Sequence, residues 1–234
     1  HNPAAYTPDL AASLNNLAKS QAANGQWREA LQTAQEATNL HRTLVEHNPA
    51  AHTPDLATSL NNLAKSQAEN GQWREALQTA QEATNLHRTL VEHNPAAHTP
   101  DLATSLNTLA IYLDNNGQQR EALQTAQEAT NLHRTLVEHN PAAYTPDLAA
   151  SLNTLAIYLD NNGQQREALQ TAQEATNLYR ELVNENFRTF SSRFTTTLGI
   201  YAKLLDHCGD AAEATRIRQE RDDVLKRIEE EGDA

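Results

Sequence analysis

HNPAAYTPDLAASLNNLAKSQAANGQWREALQTAQEATNLHRTLVE, residues 1–46, returns almost unchanged from His47, His93 and His139, and a degenerate fifth copy opens at Glu185 with ENFRTFSSRF. A period of 46 residues repeated through the chain decides the fold class before any local reading, because a unit this small cannot bury its own apolar face and must stack on its neighbours. The organisation expected is four near-identical units, 1–46, 47–92, 93–138 and 139–184, followed by 185–234 as a degenerate unit that closes the array.

Within the first unit, Thr7 is a good helix cap, Pro8 suits the first helical position and Asp9 complements the positive end of the helix dipole. Leu10, Leu14, Leu17, Ala18 and position 21 then form an apolar stripe at helical spacing, and Asn24-Gly25 supplies a left-handed stop. Helix A is therefore expected from about Pro8 to Asn24. Helix B is expected from near Gln26, with Ala30, Ala34, Ala37, His41 and Leu44 on one face, ending before Asn48-Pro49. On this reading Pro49 to His52 is a linker and Thr53 caps the next helix A.

Leu14, Leu17-Ala18, Gly25, Ala30, Ala34 and Ala37 stand at the spacings of the tetratricopeptide repeat, and TPDLAASLNNLA with its longer helices resembles the kinesin-light-chain-like subgroup. The near-identical copies also resemble repeat arrays of bacterial multidomain signalling ATPases. The resemblance implies an all-α, right-handed superhelical solenoid of five antiparallel helix pairs, whose concave groove is lined by helix A and holds a protein or peptide. It further implies no catalysis.

Composition narrows the function classes. A formal charge of −12 gives no basic stripe for phosphates, so neither nucleic acid nor an anionic membrane is the expected partner. No run of 18 apolar residues occurs, so neither a membrane span nor a signal peptide is expected. The single cysteine, Cys208, fits a reducing compartment, the cytoplasm by default. The chain contains no methionine and opens in the middle of an inter-unit linker, the pattern of a fragment with an upstream part before His1. Its C-terminal end reads as a true terminus, because Arg218 and Arg221 replace packing alanines in the fifth unit and make a polar closing face.

Ten histidines invite a metal, but His41, His87 and His133 become Tyr179, and His52 and His98 alternate with Tyr6, Tyr144 and Phe190. Tyrosine and phenylalanine do not replace a zinc ligand, so these positions ask for a flat ring: a packing ring in helix B, and a hydrophobic staple just before the helix A cap. Asp206, His207 and Cys208 are consecutive and point in different directions on a helix, so they do not make a nucleophile and its base. No glycine-rich phosphate loop occurs, and no cofactor is expected. Trp27 and Trp73 accompany Ser20-Gln21 and Ser66-Gln67, whereas Gln119 and Gln165 accompany Tyr112-Leu113 and Tyr158-Leu159, which reads as volume traded at a packed contact.

The functional signal falls on helix A. Adjacent copies differ at three, seven and five places, six of them at the groove positions Ala12, Asn15, Lys19, Ala22 and Ala23 and their counterparts, while helix B from Arg28 to Thr38 never changes. Either the groove has diversified or changes were inherited in tracts. Asn15, Asn61, Asn107 and Asn153 place one carboxamide per unit. The resemblance implies a ladder for a peptide main chain; bonds between neighbouring helices are the alternative. Beside them stand Lys19, Lys65 and Glu69, then Asp114, Asn115, Asp160, Asn161 and Asp206, a basic-to-acidic gradient for an elongated partner. A scaffold that self-associates end to end through its uncapped first unit is the competing function.

Overall fold

The computed structural model describes residues 6–232, so the first five residues of unit one, with Pro3 and its linker, lie outside the described residues. Among the described residues there are ten helices and no strand: α1 (Thr7–Ala23), α2 (Trp27–His47), α3 (Pro49–Glu69), α4 (Trp73–His93), α5 (Pro95–Asn115), α6 (Gln119–His139), α7 (Pro141–Asn161), α8 (Gln165–Glu185), α9 (Phe187–His207) and α10 (Ala211–Gly232). The odd-numbered helices are the A helices and the even-numbered ones the B helices. The chain divides after Gln118 into two compact units. No helix among the described residues is long and apolar enough to cross a membrane.

Turns between helix A and helix B are as the sequence dictates. In the first, Gly25 N–H donates to Ala22 O at 3.0 Å and Gln26 N–H to Gln21 O at 2.9 Å, the paired bonds of a Schellman ending. Gly25 takes φ 75°, a left-handed conformation that a Cβ disfavours, and the glycines of the other four turns do the same.

The junctions between units differ from the sequence expectation. Pro49 to His52 is the first turn of α3, and the cap is Asn48, whose side chain accepts from Ala51 N–H at 3.4 Å. Thr53 caps nothing: its hydroxyl donates to Pro49 O at 2.7 Å, and Pro54 lies inside the helix. The physical reason is that Pro49 fits the first helical position, while the carbonyl that Pro54 leaves without a donor belongs to Ala50, which is exposed to water. One residue therefore joins α2 to α3, and His52, a half-buried residue within α3, is not a staple ahead of a cap.

In the first unit of the fold α1 packs on α2, α2 on α3, α3 on α4, α4 on α5, and α1 also packs on α3. Leu63 of α3 enters a cluster with Ala18, Ala34 and Leu31 of the preceding pair, and Leu56 and Leu60 meet Ala83, Val45 and Leu86. The alanine row of helix B, Ala30, Ala34 and Ala37, is fully enclosed, so any larger residue there would push the helices apart. Arg42 of α2 donates to Glu82 of α4 at 2.6 Å. In the second unit of the fold α6 packs on α7, α7 on α8, α8 on α9 and α9 on α10, with α7 also meeting α9. Leu148, Leu152 and Ala175 repeat the cluster, and Arg134–Glu174 and Arg180–Glu220 repeat the ion pair.

Candidate functional site

The groove asparagines are tied into the fold. Asn15 Nδ2 donates to Ser59 Oγ of the next unit at 2.6 Å, Asn61 to Ser105 at 2.6 Å, and Asn153 to Thr197 at 2.6 Å. The Oδ1 atoms of all four asparagines are enclosed and unpartnered. A carboxamide arranged this way joins one helix A to the next. These are the bonds between neighbouring helices that stood as the alternative to a peptide ladder: each acceptor is closed off, and in the three amides named one donor is already engaged.

The same hydroxyl explains the helix B histidines. Ser59 Oγ lies 2.6 Å from His41 Nδ1, and Ser151 Oγ lies 2.8 Å from His133 Nδ1. All three helix B histidines are buried, and burial lowers each imidazole below its ordinary value; Asp55, Asp101 and Asp147 respectively raise it again in part. Ser59 Oγ thus takes a hydrogen from Asn15 Nδ2 and shares a second hydrogen bond with His41 Nδ1. His87 differs in directing Nε2 toward Asn61 Nδ2 at 3.4 Å. Where Tyr179 replaces histidine, Thr197 receives Asn153 and donates instead to Arg193 O of its own helix at 2.9 Å.

The charged residues expected beside the asparagines differ in exposure and in partners. In the first unit of the fold Lys19 is exposed, Lys65 is exposed with Nζ 3.9 Å from Glu69 Oε1, Asp114 is half-buried, and Asn115 Nδ2 returns to Ile111 O at 2.8 Å. In the second unit of the fold both aspartates are engaged. Asp160 accepts from His207 Nδ1 at 3.0 and 3.2 Å, Asp206 pairs with Arg218, and Asn161 stays exposed.

Two residues missed by sequence reasoning stand at the Lys19 and Lys65 position in the later units: Ile111 and Ile157, 39% and 38% exposed. Their signal was present, since a β-branched apolar residue replacing lysine on a solvent-facing register departs from the helical pattern.

Around Trp27 the A helices leave a cavity of about 280 Å³, lined by Ala18, Lys19, Ala22, Lys65, Ser66 and Glu69 among others. Beside Trp73, Tyr112 of α5 packs against its ring with centroids 6.4 Å apart. The expected trade of large for small is therefore absent: Trp73 meets a large residue of the next unit and Trp27 faces the small Ser66. Larger hollows, about 680 Å³ beside α2 and about 690 Å³ beside α8 and α10, are lined mostly by B-helix residues, with Gln67 of α3 in the first and Phe187 and Phe194 of α9 in the second. The second is ringed by cations already engaged, Arg180 with Glu220, Arg216 with Glu213, and Arg227 over the Phe187 ring.

Among the described residues no three His, Cys, Asp or Glu side chains gather as a metal site. Asp160 accepts from His207, Asp206 pairs with Arg218, and Cys208 is exposed with its thiol 3.9 Å from Gln165 O.

The tetratricopeptide repeat family matches four times, over residues 10–52, 56–98, 102–142 and 148–188, more than half of the chain. No curated protein sequence matches. Among solved structures, a Podosopora anserina protein of nearly identical TPR-like repeats, ascribed to kinesin light chain, aligns with TM-score 0.70 at 18% identity over 97% of this chain and 98% of its own. BtubC (BKLC) from P. vanneervenii aligns with TM-score 0.75 at 16% identity over 95% and 82%. MamA from Desulfovibrio magneticus RS-1 aligns with TM-score 0.59 at 16% identity over 93% and 96%. At such identities the likeness is one of fold, a solenoid of helix pairs, and the residues matched to the family carry the assignment: the chain belongs to the tetratricopeptide repeat family.

Proposed function

We propose that the chain is a polypeptide-binding scaffold, the module of a larger sensor or assembly protein, and that the A-helix face of residues 6–118 holds an extended segment of the partner. The observation that carries this is the contrast between the two faces. Side chains that change from unit to unit, Lys19 and Lys65 giving way to Ile111, and Ala22 and Ala68 to Asp114, stand on the A helices, over a junction that stays the same. The exposed B-helix residues Gln32, Gln35 and Glu36 recur unaltered in all four copies. A face that varies over an invariant frame can distinguish partners.

The segment bound would place acidic residues toward Lys19 and Lys65, an apolar residue at Ile111 and a basic one at Asp114. Asn15 and Asn61 set the spacing of this surface and offer at most their second N–H. Charge pairs of this kind steer encounter more than they add affinity. The test is binding of a peptide with that charge order to the parent and to Lys19→Glu/Lys65→Glu, followed by stopped-flow. The account expects association to slow by about tenfold or more and its salt dependence to flatten; an unchanged rate would contradict it.

Self-association is a second reading, favoured by one observation. Leu10 and Leu17 of α1 are 50% and 48% exposed, whereas their counterparts Leu56 and Leu63 are 6% and 3% exposed beneath the preceding pair. Burying both would contribute roughly 1.5 to 3 kcal/mol for each residue fully covered. On α10 the exposed Thr215, Asp222 and Glu229 are polar and only Leu225, 40% exposed, is a large apolar residue beside them, a poor complement to that face that argues against head-to-tail stacking. Leu10→Glu/Leu17→Glu should abolish any dimer seen by sedimentation while leaving peptide binding in place.

A further inference from the structure

We propose that the cavity beside Trp27 receives an aromatic ring of the tyrosyl class from the bound polypeptide, an inference that rests on the A-helix reading for its occupant. The protein carries its own template for this site. Two successive junctions within residues 6–118 share one frame. Asn15 bonds Ser59 and Asn61 bonds Ser105, each at 2.6 Å. At the far end Asn70 Nδ2 donates to Trp27 O at 2.7 Å, and Asn116 Nδ2 to Trp73 O at 3.0 Å. The two tryptophans therefore open their B helices at equivalent places.

What differs is the side chain opposite the indole. At the second junction Tyr112 fills the space, its ring tilted 60° to that of Trp73 at 6.4 Å and only 5% exposed. Burial, with the charge of Glu69, pushes its phenol up to about 12. At the first junction Ser66 holds the position that Tyr112 holds one repeat later, and where a ring would stand there is the cavity of about 280 Å³. Its walls include Trp27 and the small residues Ala18 and Ala22, with Lys19, Lys65 and Glu69 also lining it. Tilted aromatic pairs attract beyond the area they bury, so the indole favours a ring over an aliphatic chain of equal volume. The later units remove the tryptophan, with Gln119 and Gln165 in its place, so the empty receptor belongs to the first junction alone among those that keep Trp.

Both tryptophans can be watched at once by labelling the full chain with 5-fluorotryptophan and titrating p-cresol, the tyrosine side-chain analogue, with the Trp73 resonance as internal control. The Trp27 resonance should move and the Trp73 resonance should not. Ser66→Tyr, which copies the second junction, should weaken p-cresol binding by about tenfold or more; Ala22→Leu, which fills the cavity from α1, should do the same if the first variant fails to fold. Equal movement of both resonances, or a response that survives both substitutions, overturns the proposal. Displacement of p-cresol by tyrosine-containing peptides supports the polypeptide as source. A p-cresol response that no such peptide displaces overturns that source and the A-helix reading, while a peptide that binds parent and Ser66→Tyr alike overturns the ring receptor and leaves the A-helix reading standing.

Discussion

At the residue scale, the hydroxyl of Ser59 organises what the sequence shows as three unrelated columns. Ser59 takes a hydrogen from Asn15 and is hydrogen-bonded to His41 Nδ1, so the invariant asparagine, the serine and the histidine form a single buried unit across two repeats. Asn61→Ala would remove the donor to buried Ser105, and should destabilise the fold by about 1 to 3 kcal/mol in urea unfolding. An unchanged midpoint would show the bond to be incidental. The histidines make the junctions acid-sensitive. Because His41, His87 and His133 titrate below 6.5 in the fold, the unfolded chain binds more protons as pH falls through about 6.5 toward those lowered values. Stability is full above that window and declines below it. The triple variant His41→Tyr/His87→Tyr/His133→Tyr, which copies Tyr179 into the earlier units, should melt with a flatter pH dependence between about pH 7 and 5; parallel curves for the two proteins would contradict the assignment.

At the element scale, the helices and their turns were legible because each A–B turn carries its own chemistry. Gly71 takes φ 77° and a Cβ there would meet nothing within 4 Å, so Gly71→Ala tests backbone conformation alone. It should cost about 1 kcal/mol, measured by urea unfolding. The junction between units was misread because a Thr-Pro-Asp sequence is a strong start signal in isolation. The preceding Asn-Pro is a second one, and the structure uses it. Asn48 accepts from Ala51, and tertiary packing of α3 on α2 favours the longer helix despite Pro54. Replacing Asn48 with Ala should lower stability by about 0.5 to 2 kcal/mol, whereas Thr53→Ala, whose hydroxyl bonds only its own helix at Pro49 O, should change it by less.

At the scale of the whole molecule, the period of 46 residues made the fold class readable without any knowledge of packing, since stacked copies have one way to bury their shared face. The candidate site was less legible. Lys19, Lys65, Asp114 and Asn115 stand on A helices, but sequence alone does not show which polar atoms are already engaged, and that is what separates Asn15 from Lys19. Nor does it show that Trp73 and Tyr112 meet across units while Trp27 faces Ser66. The polar fifth unit is proposed to cap the array. Removing residues 185–234 should uncover Ala168, Ala172 and Ala175, now fully enclosed, and lower both solubility and melting temperature; a truncated chain that stays monomeric and melts unchanged would refute the cap.

The claim that the A-helix face binds polypeptide is tested most directly by selecting ligands from a displayed library of random extended peptides on the intact chain. Each selected peptide is then measured against two surface variants. Lys19→Glu/Lys65→Glu should weaken binding by about tenfold or more, while Gln32→Ala/Gln35→Ala on the exposed B-helix face should leave it unchanged. Peptides that ignore the lysine substitutions and are lost with the glutamines would place the binding surface on the B helices and contradict the account.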